Sequence, residues 1–118
     1  MDSKKAVKIT DGDSYIKSLR SRNLTVYLFG EKITEPVDHD MIRPSINAIA
    51  KTFDLAISNP DLASVISPFT GERVSRFLHV CTSAEELVLQ NKMQRKLGQL
   101  TGTCFQRCVG MDAFNALY

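Results

Sequence analysis

Two cysteines near the end of the chain have side chains and a spacing that suit metal binding. Cys104 and Cys108 stand four residues apart in the segment TGTCFQRCVGMDAFNALY, residues 101–118. On a helix this spacing places both thiols on one face, one turn apart. Two thiolates held in this way can both bind one soft metal centre, such as zinc or an iron–sulfur cluster. The spacing therefore predicts a helical cysteine pair that can supply two metal ligands.

The pair is also compatible with a simpler interpretation. Structural zinc sites and iron–sulfur clusters usually take four ligands, and the sequence has no histidine close to Cys104 or Cys108. Two buried or half-buried thiols on a helix that bind no metal would show the same spacing. The third cysteine, Cys81, follows His79 without further ligands nearby. We expect Cys81 to be a small buried apolar side chain and His79 to be a polar position in an extended segment.

The composition excludes several classes of protein. A length of 118 residues is enough for one domain with its own core. The net charge of +2 argues against a dedicated nucleic-acid-binding protein, which usually has a clustered basic face. No stretch approaches the roughly eighteen apolar residues of a membrane span, and no signal peptide is evident. An odd number of cysteines does not indicate a disulfide framework. We therefore expect a cytoplasmic protein with no nucleic-acid partner and no membrane.

The elements that must position the cysteine pair are mainly helices. Caps and apolar periodicity predict four helices before the cysteine segment, over residues 13–21, 44–58, 61–66 and 84–100. Ser83 and Glu86 predict a capping box at the start of the last of these. The β-branched and aromatic composition predicts a small hairpin near residues 25–34, with Gly30-Glu31 as a type II′ turn. Residues 73–81 are expected to be extended.

Four segments of the chain resemble a known enzyme family. They are VYLFGEKI at 26–33, DMIRPSIN at 40–47, KMQRKLGQ at 92–99 and CFQRCVGMDAFNA at 104–116. Together they resemble the N-terminal region of the 4-hydroxybutyryl-CoA dehydratase family, whose members are also vinylacetyl-CoA delta-isomerases. The wider 4-hydroxyphenylacetate 3-hydroxylase family includes flavin-dependent monooxygenases and shares an acyl-CoA-dehydrogenase-like fold. The cysteine segment is the specific part of this resemblance.

The resemblance implies a fold class and an activity. Residues 1–118 would form a mainly α, N-terminal helical domain, and the family's flavin-binding middle domain and C-terminal helical domain would lie outside this sequence. The full-length protein would be a lyase and isomerase that converts 4-hydroxybutyryl-CoA to crotonyl-CoA. It would be a homotetramer that holds FAD and a 4Fe–4S cluster and binds an acyl-CoA substrate.

The resemblance also implies roles for three residues. Cys104 and Cys108 match two of the three cysteine ligands of the cluster, and the third cysteine and a histidine come from later in the family's chain. Gln106 matches an active-site glutamine that lies near the cluster and the substrate. On a regular helix Gln106 would point about 200° away from Cys104. It can face the cluster only if the backbone here is bent or irregular.

The resemblance leads to expectations for the 118 residues alone. They lack the family's remaining cluster ligands and its catalytic acid and base, so we expect them to be inactive and the chain to be truncated. We also expect an exposed apolar face that promotes association, formed by Phe105, Met111, Phe114 and Leu117.

Other classes of function stay open at this stage. One is a flavin-dependent monooxygenase of the 4-hydroxyphenylacetate type, although its members are not expected to carry the cysteine pair. Another is a non-enzymatic helical module that associates through zinc or apolar contacts. A third is a truncated gene product without function.

Overall fold

The computed structural model describes residues 8–20, 22–104 and 107–117. These residues form five α-helices and two short hairpins. The helices are α1 (Gly12–Arg20), α2 (Arg43–Ser58), α3 (Pro60–Ala63), α4 (Ala84–Thr101) and α5 (Arg107–Leu117). The strands are β1 (Val26–Leu28), β2 (Glu31–Ile33), β3 (Ser64–Ile66) and β4 (Arg73–Ser75). The prediction of a mainly helical chain with a small hairpin near residues 25–34 is confirmed.

The first hairpin differs from the predicted one in its turn. β1 and β2 are antiparallel, and Leu28 pairs with Glu31. This register leaves Phe29 and Gly30 as the turn residues, and their φ angles are +51° and +82°. Two positive φ angles are typical of a type I′ turn, so the predicted type II′ turn at Gly30-Glu31 is wrong. Glycine adopts such an angle without strain, whereas Phe29 does not.

A second hairpin occupies a region that was predicted to be helical and then extended. The predicted helix over 61–66 is wrong after Ala63, because residues 64–66 form β3 and pair antiparallel with β4. The predicted extended segment 73–81 is interrupted by a 3₁₀ turn over Arg76–Leu78. Arg76 explains this turn: its buried guanidinium donates from Nε to the Leu62 carbonyl at 2.8 Å and from Nη2 to the Ser64 carbonyl at 3.0 Å.

α1 packs closely on α2 because Gly12 has no side chain. The Gly12 amide donates to Asp54 Oδ1 at 2.8 Å, and a Cβ at this position would lie 2.7 Å from Asp54 Oδ2. One turn further along, the rings of Tyr15 and Phe53 stack with centroids 5.2 Å apart. These contacts fix α1 along the outer side of α2, so α2 is packed on this side as well as towards the core.

The core joins four helices, including the one that carries Cys108. Its buried apolar side chains come from α2, α3, α4 and α5, and they are Leu55, Ala63, Met93, Leu97 and Met111. Phe77 from the 3₁₀ turn packs against this cluster. Burial of apolar surface is the main favourable term in folding, so Met111 holds α5 to the rest of the molecule.

The ends of α4 are defined by the residues that the sequence indicated. Ser83 Oγ accepts from the Glu86 amide at 3.2 Å, which confirms the cap. The Glu86 carboxylate reaches the amide of Thr82, at 2.6 Å, rather than that of Ser83. At the other end, Gly102 has a φ of +70° and donates to the Gly98 carbonyl at 2.9 Å, the left-handed C-terminal arrangement that ends a helix.

In the three described ranges, each helix is too short or too polar to span a lipid bilayer.

Candidate functional site

The two cysteines of the candidate site flank the start of α5. Because Gly102 ends α4 with a positive φ, Thr103 and Cys104 follow in an irregular conformation, and the described part of α5 runs from Arg107 to Leu117. The Arg107 amide donates to the Cys104 carbonyl at 3.0 Å. Cys108 lies in the first turn of α5, and both cysteines are exposed. The prediction that one helix carries both thiols is therefore wrong.

Two residues of the segment, Phe105 and the predicted active-site Gln106, lie outside the described residues. The argument that Gln106 would point away from Cys104 assumed a regular helix that started before Cys104. That assumption does not hold, because Cys104 precedes α5.

The Arg107 side chain anchors the cysteine segment to α2, a contact that the sequence did not predict. Arg107 is only 4% exposed, although in sequence it lies between two exposed cysteines. Nε donates to Thr52 Oγ1 at 2.8 Å, and Nη2 donates to the Ala48 carbonyl at 2.7 Å. Both acceptors lie on α2, more than fifty residues earlier in the chain, at separations of 55 and 59. No local pattern in the sequence announces such a long-range contact.

The same guanidinium also holds the backbone that leads into α5. Nη1 donates to the Thr103 carbonyl at 3.0 Å and to the Cys104 carbonyl at 3.2 Å. Burial lowers the pKa of Arg107 from its ordinary value, and the nearby Cys104 acts in the opposite direction. A buried charge is tolerated when its polar atoms are hydrogen-bonded, and these contacts meet that requirement. The site thus combines exposed thiols with a buried, fixed positive charge.

The third cysteine belongs to a different environment. Cys81 is half-buried, less than predicted, and its amide donates to Asn115 Oδ1 at 2.9 Å. Burial, with a contribution from the Glu86 carboxylate, raises the pKa of the Cys81 thiol. A raised pKa lowers the thiolate fraction and so makes this sulfur a poorer metal ligand. Its chemistry differs from that of the cysteine pair.

His79 has the extended backbone that was predicted for it, and its side chain is buried. Its Nε2 lies 3.0 Å from Glu86 Oε1. Since this histidine follows the 3₁₀ turn and packs against the start of α4, its contacts explain its burial and leave it a structural role.

The donors present fit a metal centre that takes only part of its ligands from this chain. Thiolates suit soft centres such as zinc and iron–sulfur clusters. Within residues 8–20, 22–104 and 107–117, no three or more His, Cys, Asp or Glu side chains come together in a way that could hold a metal ion. The two exposed thiols are donors of this type, and the buried cation Arg107 beside them would favour an anionic cluster. Two thiols are fewer than the four ligands that such a centre usually takes.

The predicted apolar face of the last helix is only partly exposed. Met111 points into the core and is buried, whereas Phe114 and Leu117 are exposed together with Val109. Phe105 lies outside the described residues.

Comparison with known proteins places this geometry in a family. Residues 11–118 match the family described as 4-hydroxyphenylacetate 3-hydroxylase N terminal. The chain belongs to this family. It is also 52% identical over 109 residues to the 4-hydroxybutyryl-CoA dehydratase/vinylacetyl-CoA-Delta-isomerase of Clostridium aminobutyricum. That match covers 90% of this chain and 22% of the clostridial protein.

A solved structure shares both the fold and the sequence. It is an oxygen-tolerant archaeal 4-hydroxybutyryl-CoA dehydratase from N. maritimus, which is 69% identical with a TM-score of 0.87. The match covers 93% of this chain and 22% of that one. The 4-hydroxyphenylacetate 3-monooxygenase oxygenase component of Geobacillus sp. (strain PA-9) is 23% identical over 76% of the chain. The chain thus spans about a fifth of the length of these relatives.

The resemblance that the cysteine segment indicated is confirmed by these comparisons. Over the aligned residues this chain is 52% and 69% identical to the two dehydratases and 23% identical to the monooxygenase. The sequence of this domain therefore groups with the dehydratases.

Proposed function

We propose that this chain is the N-terminal helical domain of a 4-hydroxybutyryl-CoA dehydratase with vinylacetyl-CoA isomerase activity. The observation that carries the proposal is the identity to two dehydratases over at least 90% of the chain. The complete protein would adopt an acyl-CoA-dehydrogenase-like fold, bind FAD mainly through its later domains and assemble as a cytoplasmic homotetramer. Residues 1–118 alone would not turn over substrate.

In this proposal Cys104 and Cys108 supply two ligands of a 4Fe–4S cluster. When bound, the cluster supplies a Lewis-acidic iron for the departing hydroxyl group of the substrate. The two thiols bind from opposite ends of the short segment 104–108, and Met111 fixes the helix behind them in the core. Gln106, between the two thiols in sequence, would orient the acyl-CoA through its side-chain amide.

The test uses the longest open reading frame that contains this chain, expressed without oxygen. Iron, acid-labile sulfide and flavin are measured per chain in the wild type and in Cys104→Ala and Cys108→Ala. We expect about four irons and one flavin in the wild type, because that is the composition of one 4Fe–4S cluster and one FAD. Either substitution should sharply reduce the iron, because the cluster loses a ligand.

Two further variants make this test specific. Cys81→Ala removes a cysteine outside the pair, so it should retain the iron of the wild type. Gln106→Ala should retain iron and flavin but form crotonyl-CoA more slowly. Flavin without iron in the wild type would contradict the dehydratase proposal and favour the monooxygenase type. A protein with neither cofactor would favour a non-enzymatic module.

A further inference from the structure

The Arg107 side chain connects the beginning of the cysteine segment to α2. The Arg107 guanidinium donates to Thr52 and Ala48 on α2 and to the carbonyls of Thr103 and Cys104. The first two contacts fix the guanidinium, and the last two fix the backbone that carries the Cys104 thiol. Arg107 also lies directly before Cys108 in the described part of α5, so the same contacts hold the turn that carries the Cys108 thiol.

The fork shape of the guanidinium makes this connection possible. Its nitrogens reach acceptors on two sides at once, whereas a lysine ammonium is a compact point charge on a flexible stem. A positive charge buried beside Cys104 also stabilises negative charge at the thiols. Geometry and charge are therefore two separable contributions of the same residue.

We infer that Arg107 is a positioning residue, which holds the Cys104 backbone against α2 and thereby sets the two thiols for an iron–sulfur cluster. The inference rests on the proposed function, which assigns Cys104 and Cys108 as cluster ligands. Arg107 acts through the backbone and its charge and does not itself bind iron, because its guanidinium is buried and engaged with carbonyl and hydroxyl acceptors. Groups that orient metal ligands in this way affect metal affinity about 10- to 100-fold.

The experiment compares Arg107→Lys and Arg107→Gln with the wild type in the complete reading frame, prepared without oxygen. The readouts are the rate at which a chelator removes iron and the midpoint potential of the remaining cluster. Both variants lose the fork, so we expect iron release to accelerate about 10- to 100-fold in each. Only Arg107→Gln loses the charge, so it should show the larger fall in midpoint potential, because a nearby cation stabilises the more negative, reduced cluster.

A matched control separates positioning from general stability. Arg76 is buried to the same extent, and its guanidinium also donates to two backbone carbonyls, those of Leu62 and Ser64. Arg76→Lys should therefore destabilise the fold in a comparable way, while these two hydrogen bonds of Arg76 end on Leu62 and Ser64 and not on the cysteine segment. We expect its iron release and its midpoint potential to match those of the wild type.

A milder variant keeps the test informative if both Arg107 variants fail to fold. Thr52→Val removes the acceptor of Nε and leaves the charge in place. It should accelerate iron release by a smaller factor and leave the midpoint potential unchanged. Suppose that the wild type holds full iron and that Thr52→Val or the folded Arg107 variants release iron at the same rate as the wild type. This result would overturn this inference alone. A wild type without iron would overturn the proposed function and this inference with it.

Discussion

Two arginines of the described residues, Arg76 and Arg107, are buried, and both donate to backbone carbonyls. Arg76 joins the end of α3 to the 3₁₀ turn before α4, and Arg107 joins α2 to the start of α5. Buried charges are stable only when their polar atoms are paired, so each arginine requires a particular backbone arrangement around it. A buried arginine therefore selects one path for a loop that has little apolar surface of its own.

Glu86 provides a prediction at the same scale. Its pKa is lowered from the ordinary 4.5, chiefly by the hydrogen bond from the Thr82 amide and further by His79. Because the pKa is lower in the folded protein, the stabilisation is fully present above the unfolded value and is lost as the pH falls through the folded one. Glu86→Gln should therefore reduce the free energy of unfolding at pH 7 by about 1 kcal/mol, as measured by urea unfolding.

The same measurement at pH 3 should show a smaller difference between Glu86→Gln and the wild type, because this pH lies below the unfolded pKa and the stabilisation is lost as the pH falls towards the lowered folded pKa. Glu85→Gln is the control, since this exposed neighbour lies in the same first turn of α4. It loses the same charge at the positive end of the helix but not the contact with Thr82. An equal effect of both substitutions at pH 7 would contradict the assigned contact.

The helices were predictable from the sequence because their signals are local. Ser83 and Glu86 mark the beginning of α4, and Pro44 marks the first turn of α2. The second hairpin was missed because its strands are only three residues long, too short for an alternating pattern to show. What fixes this hairpin is the buried Arg76, whose partners lie 12 and 14 residues away.

The candidate site was predictable in its chemistry but not in its geometry. The residue types and the resemblance identified Cys104 and Cys108. The prediction that Cys104 lies in a helix with Cys108 failed because Thr103 and Cys104 are irregular after Gly102, whose positive φ ends α4. Arg107 was not recognised because its partners on α2 come together with it only in the folded chain.

The turn of the first hairpin contains a residue in an unfavourable conformation, Phe29. Phe29 has a φ of +51° and is 82% exposed, so its strain is not offset by packing within this chain. Asparagine adopts a positive φ more easily, and Asn-Gly is the preferred pair in a type I′ turn. Phe29→Asn should raise the free energy of unfolding by about 0.5–1 kcal/mol, as measured by urea unfolding of the 118-residue chain.

Phe29→Ala is the matched variant, because it removes the same exposed ring without supplying a residue that favours the turn. It should give less stabilisation than Phe29→Asn. If the two variants were equally stable, the gain would come from loss of the ring, and the type I′ turn would not be its cause.

In the molecule as a whole, α2 connects three regions. Towards α1 it offers Asp54 and Phe53, which contact Gly12 and Tyr15. Its Leu55 packs in the core, and its Thr52 accepts a hydrogen bond from Arg107 at the candidate site. Because these contacts lie within one helical turn, displacement of α2 would disturb the N-terminal helix, the core and the cysteine segment together.

Leu97 on α4 tests this coupling. Leu97 is fully buried in the cluster that includes Leu55 and Met111, so Leu97→Ala should lower the free energy of unfolding by about 2–5 kcal/mol. Leu100→Ala on the same helix is the control, because Leu100 is 52% exposed, and its effect should stay within about 0.5 kcal/mol. Hydrogen exchange of the 118-residue chain should show faster exchange in α2, α4 and α5 together in Leu97→Ala. Faster exchange confined to α4 would mean that the cysteine helix is not coupled to the core through Met111.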